Sequence, residues 1–142
     1  MQFIISDYAT RLEKTEALAN DKTAQNYLDV CFNFNNCGTC VKCMRTLITL
    51  DVLGKVEQFS TCFDIKKYKH NRAKAFAWLL ETKEGDMLDD NAVFARDIYQ
   101  LVLKNRVSIP HTAYSLYRKK KAKTKAYKGY QAIKKCVKRI IK

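Results

Sequence analysis

The sequence predicts a mainly helical fold, a small helical domain with one or two short strands beside a four-cysteine metal knuckle. Three observations point there. The 142 residues include one proline and four glycines, too few turn formers for a barrel or sandwich of many short strands. Apolar residues recur at helical spacing through most of the chain. Four of the six cysteines fall within thirteen residues, spaced Cys31-x5-Cys37-x2-Cys40-x2-Cys43.

Phe3-Ile4-Ile5 reads as a short strand. Residues 10–19 carry Leu12, Ala17 and Leu18 among charged positions and read as a short helix that Asn20-Asp21 ends. Tyr27-Leu28-Asp29-Val30-Cys31 alternates enough to be a strand leading into the knuckle. Residues 41–53 place apolar side chains at 44, 47, 48, 50, 52 and 53, with Gly54 where a C-terminal cap belongs. This helix starts at the cysteines, so its first amides face the thiolates and favour their ionised form. Asp64 caps a further helix to about residue 82, with Tyr68, Ala75, Phe76, Leu79 and Leu80 as its buried stripe. Gly85-Asp86 breaks the chain. Asp89-Asp90-Asn91 opens the next helix, with Val93, Phe94, Ile98, Leu101 and Val102 facing inward. Pro110 separates it from a last helix beginning near Ser108 or His111-Thr112.

Charge divides the chain. The formal net charge is +13, yet residues 118–142 hold twelve of the Lys and Arg and no acid, while the preceding 117 residues hold 15 basic and 14 acidic residues. Residues 1–112 therefore read as a zinc-knuckle helical domain and 113–142 as a basic amphipathic C-terminal helix. In the latter, Ala126, Tyr130, Ile133, Val137, Ile140 and Ile141 make a narrow apolar seam, expected to dock on the body. Arg118, Lys119, Lys120, Lys121, Lys123, Lys125 and Lys128 are the candidate polyanion contacts. Tyr114, Tyr117, Tyr127 and Tyr130 interleave with lysine, and Arg118 and Arg139 are the only arginines there. That composition suits nonspecific attraction to nucleic-acid phosphates or an anionic membrane surface more than base reading.

The cysteine spacing lets four thiolates wrap one metal ion, with Gly38 permitting the tight Cys37-x2-Cys40 turn. A zinc ion held by four thiolates has no open position, so such a site builds structure rather than performing chemistry. Two other occupants compete with zinc: an iron–sulfur cluster, although the fourth cysteine, Cys31, lies upstream and no Cys-Pro follows, and paired disulfides. Against disulfides, Met1-Gln2-Phe3-Ile4-Ile5 lacks a basic leader segment and a long apolar run, so a reducing, cytoplasmic setting is expected. Lys42 and Arg45 lie where they would offset thiolate charge. Cys62 and Cys136 read as small apolar residues, and His70 and His111 as isolated ones. No apolar run is long enough to span a membrane. With two histidines, no serine–histidine–aspartate or cysteine–histidine set is apparent, and Asp89 with Asp90 is explained by a helix start rather than a metal.

The run Asn36-Cys37-Gly38-Thr39-Cys40-Val41-Lys42-Cys43-Met44-Arg45-Thr46-Leu47, continuing to Leu53-Gly54, resembles the C-terminal zinc-binding region of bacterial PP-loop ATP pyrophosphatase-like proteins, the group containing 7-cyano-7-deazaguanine synthase. Thr10-Arg11-Leu12-Glu13-Lys14 is similar to the segment preceding it there, and the likeness covers roughly residues 10–63. The resemblance implies an adenylating enzyme with an α/β nucleotide-binding domain. Its phosphate-binding Ser-Gly-Gly-x-Asp-Ser is absent, and Gly38, Gly54, Gly85 and Gly129 are all far apart. The expectation is thus a non-catalytic zinc-stabilised C-terminal module, part of a larger α/β protein whose N-terminal nucleotide-binding domain precedes Met1. The alternative is a self-standing basic zinc protein that binds nucleic acid or an anionic surface through its lysine-rich tail.

Overall fold

Most helices of this chain begin where a short polar side chain can occupy the free amides of a first turn. A computed structural model describes residues 9–32 and 35–140. In it α1 is Arg11–Leu18, α2 Lys22–Tyr27, α3 Val41–Val52, α4 Ile65–Thr82, α5 Asp90–Lys104 and α6 His111–Ile140, with a 3-10 turn at Val56–Phe59. Thr10 and Glu13 form a reciprocal capping box: the Glu13 N–H donates to Thr10 Oγ1 at 3.2 Å, and the Thr10 N–H to Glu13 Oε2 at 2.7 Å. Asp21, Asp64 and Asp89 cap α2, α4 and α5 through N–H donors of Ala24, Lys67 and Asn91 at 2.7, 2.9 and 2.9 Å. Pro110, whose fixed φ suits a helix entrance, precedes α6 and accepts the Ala113 N–H at 2.8 Å.

Helices α3, α4 and α5 pack on one another, α1 lies against α3 and α5, and the start of α6 lies against α4. Leu47, Ile48 and Leu50 of α3, Phe59 of the 3-10 turn, Phe76 and Leu79 of α4, and Ile98 and Val102 of α5 fill the core. Phe59 belongs to the 3-10 turn, which brings it under α4. A polar network pins this packing. Asp51 accepts the Tyr68 hydroxyl at 2.8 Å and the Arg72 Nε–H at 2.6 Å, and Arg72 Nη2 donates to the Ser108 carbonyl at 3.4 Å. The guanidinium also lies 4.7 Å from the Phe76 ring centroid. Burial first, then the Asp51 charge, push the Tyr68 phenol far above its ordinary pKa. It therefore stays a donor, and α3, α4 and the approach to α6 are held together by one carboxylate and one guanidinium.

Three expectations are corrected. No strand occurs among the described residues. Tyr27 ends α2, and the alternating Leu28–Val30 segment finds its partner in one side chain: the Val30 N–H donates to Asn36 Oδ1 at 3.0 Å, while Asn36 Nδ2 donates to the Leu28 carbonyl at 2.7 Å. With those backbone groups satisfied by an amide, no ladder is needed. The proposed strand at Phe3-Ile4-Ile5 lies outside the described residues. Second, Val93 and Ala17 are exposed, and Ala92 and Ala95 face inward on α5 instead. Third, the described part of the α6 seam, from Ala126 to Ile133, does not dock. Ala113 is buried and Tyr114 and Tyr117 are half-buried, but Ala126, Tyr130 and Ile133 are exposed. Thirty helical residues span about 45 Å against about 27 Å for the eighteen of α4, so the later turns of α6 outrun the helix they pack on. Val137, Ile140 and Ile141 lie outside the described side chains, as does Cys136. Among the described residues no helix is long and apolar enough to cross a membrane.

Candidate metal centre

The chain approaches the knuckle from α2 and leaves it as α3, so four cysteines come from one loop and one helix start. Cys31 follows the Asn36-clamped segment, and its own N–H donates to Asp29 Oδ1 at 3.0 Å. Asn36 adds a third bond, Nδ2 to the Cys62 carbonyl at 3.1 Å, tying the loop to the stretch after the 3-10 turn. Gly38 takes a φ of +71°, left-handed and open to glycine at no cost, and turns the chain between Cys37 and Cys40. Cys40 caps α3, its sulfur accepting the Cys43 N–H at 3.4 Å, and Cys43 sits buried in the first turn.

The sulfurs of Cys31, Cys37, Cys40 and Cys43 all lie within 4.8 Å of one another. Cys31 Sγ stands 3.9 Å from Cys40 Sγ, and Cys37 Sγ 4.0 Å from Cys43 Sγ. These are free thiols, with separations about twice a disulfide bond. Four sulfurs each about 2.3 Å from one ion at tetrahedral angles would be about 3.8 Å apart. The set thus fits a single tetrahedral metal.

The surroundings favour thiolates where the backbone can reach them. The Cys40 N–H donates to Cys37 Sγ at 3.3 Å and the Thr39 hydroxyl at 3.6 Å. The Thr39 backbone N–H, then that of Cys40, then the Thr39 hydroxyl lower the Cys37 thiol to about 6. Burial acts the other way on Cys43 and raises it. Lys67 of α4 donates its ammonium to the Cys37 carbonyl at 2.9 Å, bracing the turn from a second helix.

The other sequence candidates fall into place around this centre. Lys42 sits over the Phe32 ring, its Nζ 3.4 Å from the centroid, and Arg45 over Phe94 at 5.3 Å with Nη1 donating to Asn91 Oδ1 at 3.4 Å. Cys62 is apart from the cluster, its thiol donating to the Gln25 carbonyl at 3.3 Å. His70 and His111 are exposed. Of the basic positions on α6, Lys120 pairs with Glu81 at 2.5 Å and Lys121 with Glu84 at 2.9 Å, and Tyr117 donates its hydroxyl to Glu84. Arg118, Lys119, Lys123, Lys125 and Lys128 are exposed and form no ion pair among the described residues. Sequence reasoning missed Asn36 and Lys67 as supports of the loop. Asn36 gave a signal, an amide beside a cysteine pair, but Lys67 is one lysine among many. Compared with known protein families, curated proteins and solved structures, the chain matches none.

Proposed function

We propose that Cys31, Cys37, Cys40 and Cys43 hold one zinc ion, and that the chain is a non-catalytic, zinc-stabilised helical module. The sulfur separations near those of a tetrahedral site carry this reading. A cluster of several irons would spread its thiolates over separate metal corners, farther apart than sulfurs sharing one ion. Four-fold ligation leaves no position for substrate. The Asn36–Leu47 run and its likeness to PP-loop ATP pyrophosphatase-like proteins support a place as the C-terminal part of such a bacterial, cytoplasmic adenylating protein, partnered by an N-terminal nucleotide-binding domain. Elemental analysis of protein purified without chelator should find about one zinc per chain; iron, or no metal, would sink the zinc site. The coding frame upstream of Met1 tests the family reading separately. An in-frame Ser-Gly-Gly-x-Asp-Ser motif supports it, and a stop codon removes it.

A second reading rests on α6. Its exposed lysines surround Tyr127, Tyr130 and Ile133, exposed at 63%, 60% and 66%, which suits nonspecific binding of nucleic acid or an anionic membrane surface. Titration of single-stranded RNA, duplex DNA and anionic vesicles should show affinity that falls steeply with salt and is lost in a version ending at Tyr117. Equal affinity of the two versions reduces α6 to a solubilising helix.

A further inference from the structure

A basic cleft opens beside the metal centre. Arg11 and Lys14 of α1 and Lys42 and Arg45 of α3 line it, with Thr46 at its floor and Phe94 of α5 alongside. Its volume is about 600 Å³, within the range of small-molecule sites. Asp29 is the carboxylate among its lining residues, and that carboxylate already accepts the Cys31 N–H. Four cations elsewhere sit in ion pairs, Lys69 with Glu57, Arg72 with Asp51, Lys120 with Glu81 and Lys121 with Glu84, while the other described lysines of α6 stand in solvent. None of the four cations of the cleft forms an ion pair among the described residues.

Two of them are held in place by groups that do not neutralise them. Arg45 is half-buried, its guanidinium against the Phe94 ring and one N–H on the Asn91 amide. The remaining guanidinium donors have no acceptor among the described residues. Lys42 lies over Phe32. A zinc ion with four thiolates would carry about two negative charges, enough to offset Lys42 and Arg45, which flank it. Arg11 and Lys14, from a different helix, outweigh the single Asp29 carboxylate and leave the cleft net positive. Like charges gathered around one concavity raise its potential and concentrate anions. A guanidinium fork matches phosphate oxygens two at a time.

We propose that this cleft binds a small, multiply charged phosphate-bearing molecule, with Arg11, Lys14, Lys42 and Arg45 as its cationic contacts. Its cations come from two helices and converge beside the thiolates, which distinguishes it from the lysine face of α6, drawn from one helix. It also gives the metal centre a task beyond stability, since α3 carries both Lys42 and Arg45 and begins at the cysteines. The proposal stands on the zinc-module reading only to that extent; the cations converge whatever ion the thiolates hold.

Calorimetric titration of the full chain with inorganic phosphate, tripolyphosphate and citrate tests it. Saturable binding of tripolyphosphate near one per chain is expected, tighter than phosphate or citrate. Arg11→Gln and Arg45→Gln should each weaken it about tenfold, and Lys66→Ala with Lys104→Ala, two exposed lysines away from the cleft, should leave it unchanged. Lys125→Ala with Lys128→Ala probes the rival lysine face of α6. Zinc content and melting temperature of each variant separate loss of the cleft from loss of the metal centre. Should Arg45→Gln fail to fold, Lys14→Ala joins Arg11→Gln, both on the surface helix α1. Absence of saturable binding, tripolyphosphate affinity indifferent to Arg11→Gln and its companion variant, dependence on Lys125 and Lys128 instead, or tighter binding of citrate would each overturn the proposal.

Discussion

Two helices of this chain end in the same hydrogen-bonded turn with different residues at its crucial position. After α3, the Lys55 N–H donates to the Leu50 carbonyl at 2.8 Å and the Gly54 N–H to Asp51 at 2.9 Å, with Gly54 at a φ of +69°. After α5, the Val107 N–H donates to Val102 at 3.0 Å and the Arg106 N–H to Leu103 at 3.1 Å, with Arg106 at +52°. Both are Schellman turns, whose left-handed residue is usually glycine. A side chain with a Cβ costs roughly 1 kcal/mol there. Arg106 is exposed, so its side chain offers little packing to lose. Arg106→Gly should therefore stabilise the protein by about 1 kcal/mol, and Gly54→Ala should destabilise it by a similar amount. Urea unfolding of both variants checks this; a less stable Arg106→Gly protein would mean the arginine makes a contact that outweighs its strain. Gly54 was legible as a cap in the sequence. Arg106 was not, because the hydrogen bonds rather than the residue type define the turn.

At the scale of elements, α4 follows its sequence closely. Asp64 caps it, it runs to Thr82, and Tyr68, Ala75, Phe76, Leu79 and Leu80 are all buried. Helical periodicity alone gives this, since one apolar stripe meeting one core leaves little choice. Phe76 lies fully buried among these helices, and Phe76→Ala should cost about 3–5 kcal/mol in unfolding free energy. A loss below about 1 kcal/mol in chemical denaturation would show that α4 can close over the gap. The same periodicity misled on α6, where Ala126, Tyr130 and Ile133 form a seam exposed to solvent. On residues 27–31, alternation suggested a strand and the Asn36 amide took its hydrogen bonds instead.

At the scale of the molecule, the cysteine loop is tied to the body by hydrogen bonds and by packing of Leu28, Val30, Cys31, Cys37 and Cys40 against the core. Asn36 clamps Leu28, Val30 and Cys62, Lys67 reaches the Cys37 carbonyl, and Cys43 enters the core through α3. A metal on the four thiolates would close the loop onto the start of α3 and convert binding energy into folding energy. Removing it with a chelator should lower the melting temperature by roughly 10 °C or more, and Cys40→Ser should reproduce that loss without chelator. Melting curves that coincide with and without chelator would show that Asn36, Lys67 and core packing hold the loop without a metal.

The sequence by itself determined the helical class, the acidic starts of α4 and α5, and the four cysteines as one group. Each of these follows from short-range chemistry: a cap reaches two or three residues, a stripe repeats every turn, and a knuckle closes within thirteen residues. Only the tertiary structure decided what lies across longer separations. It set Asp51 against Tyr68 and Arg72, turned a would-be strand toward one asparagine, and left Ala126, Tyr130 and Ile133 of α6 in solvent. It also gathered Arg11, Lys14, Lys42 and Arg45 around one cleft. Those outcomes depend on which helix faces which, and spacing along one helix carries no information about its neighbour.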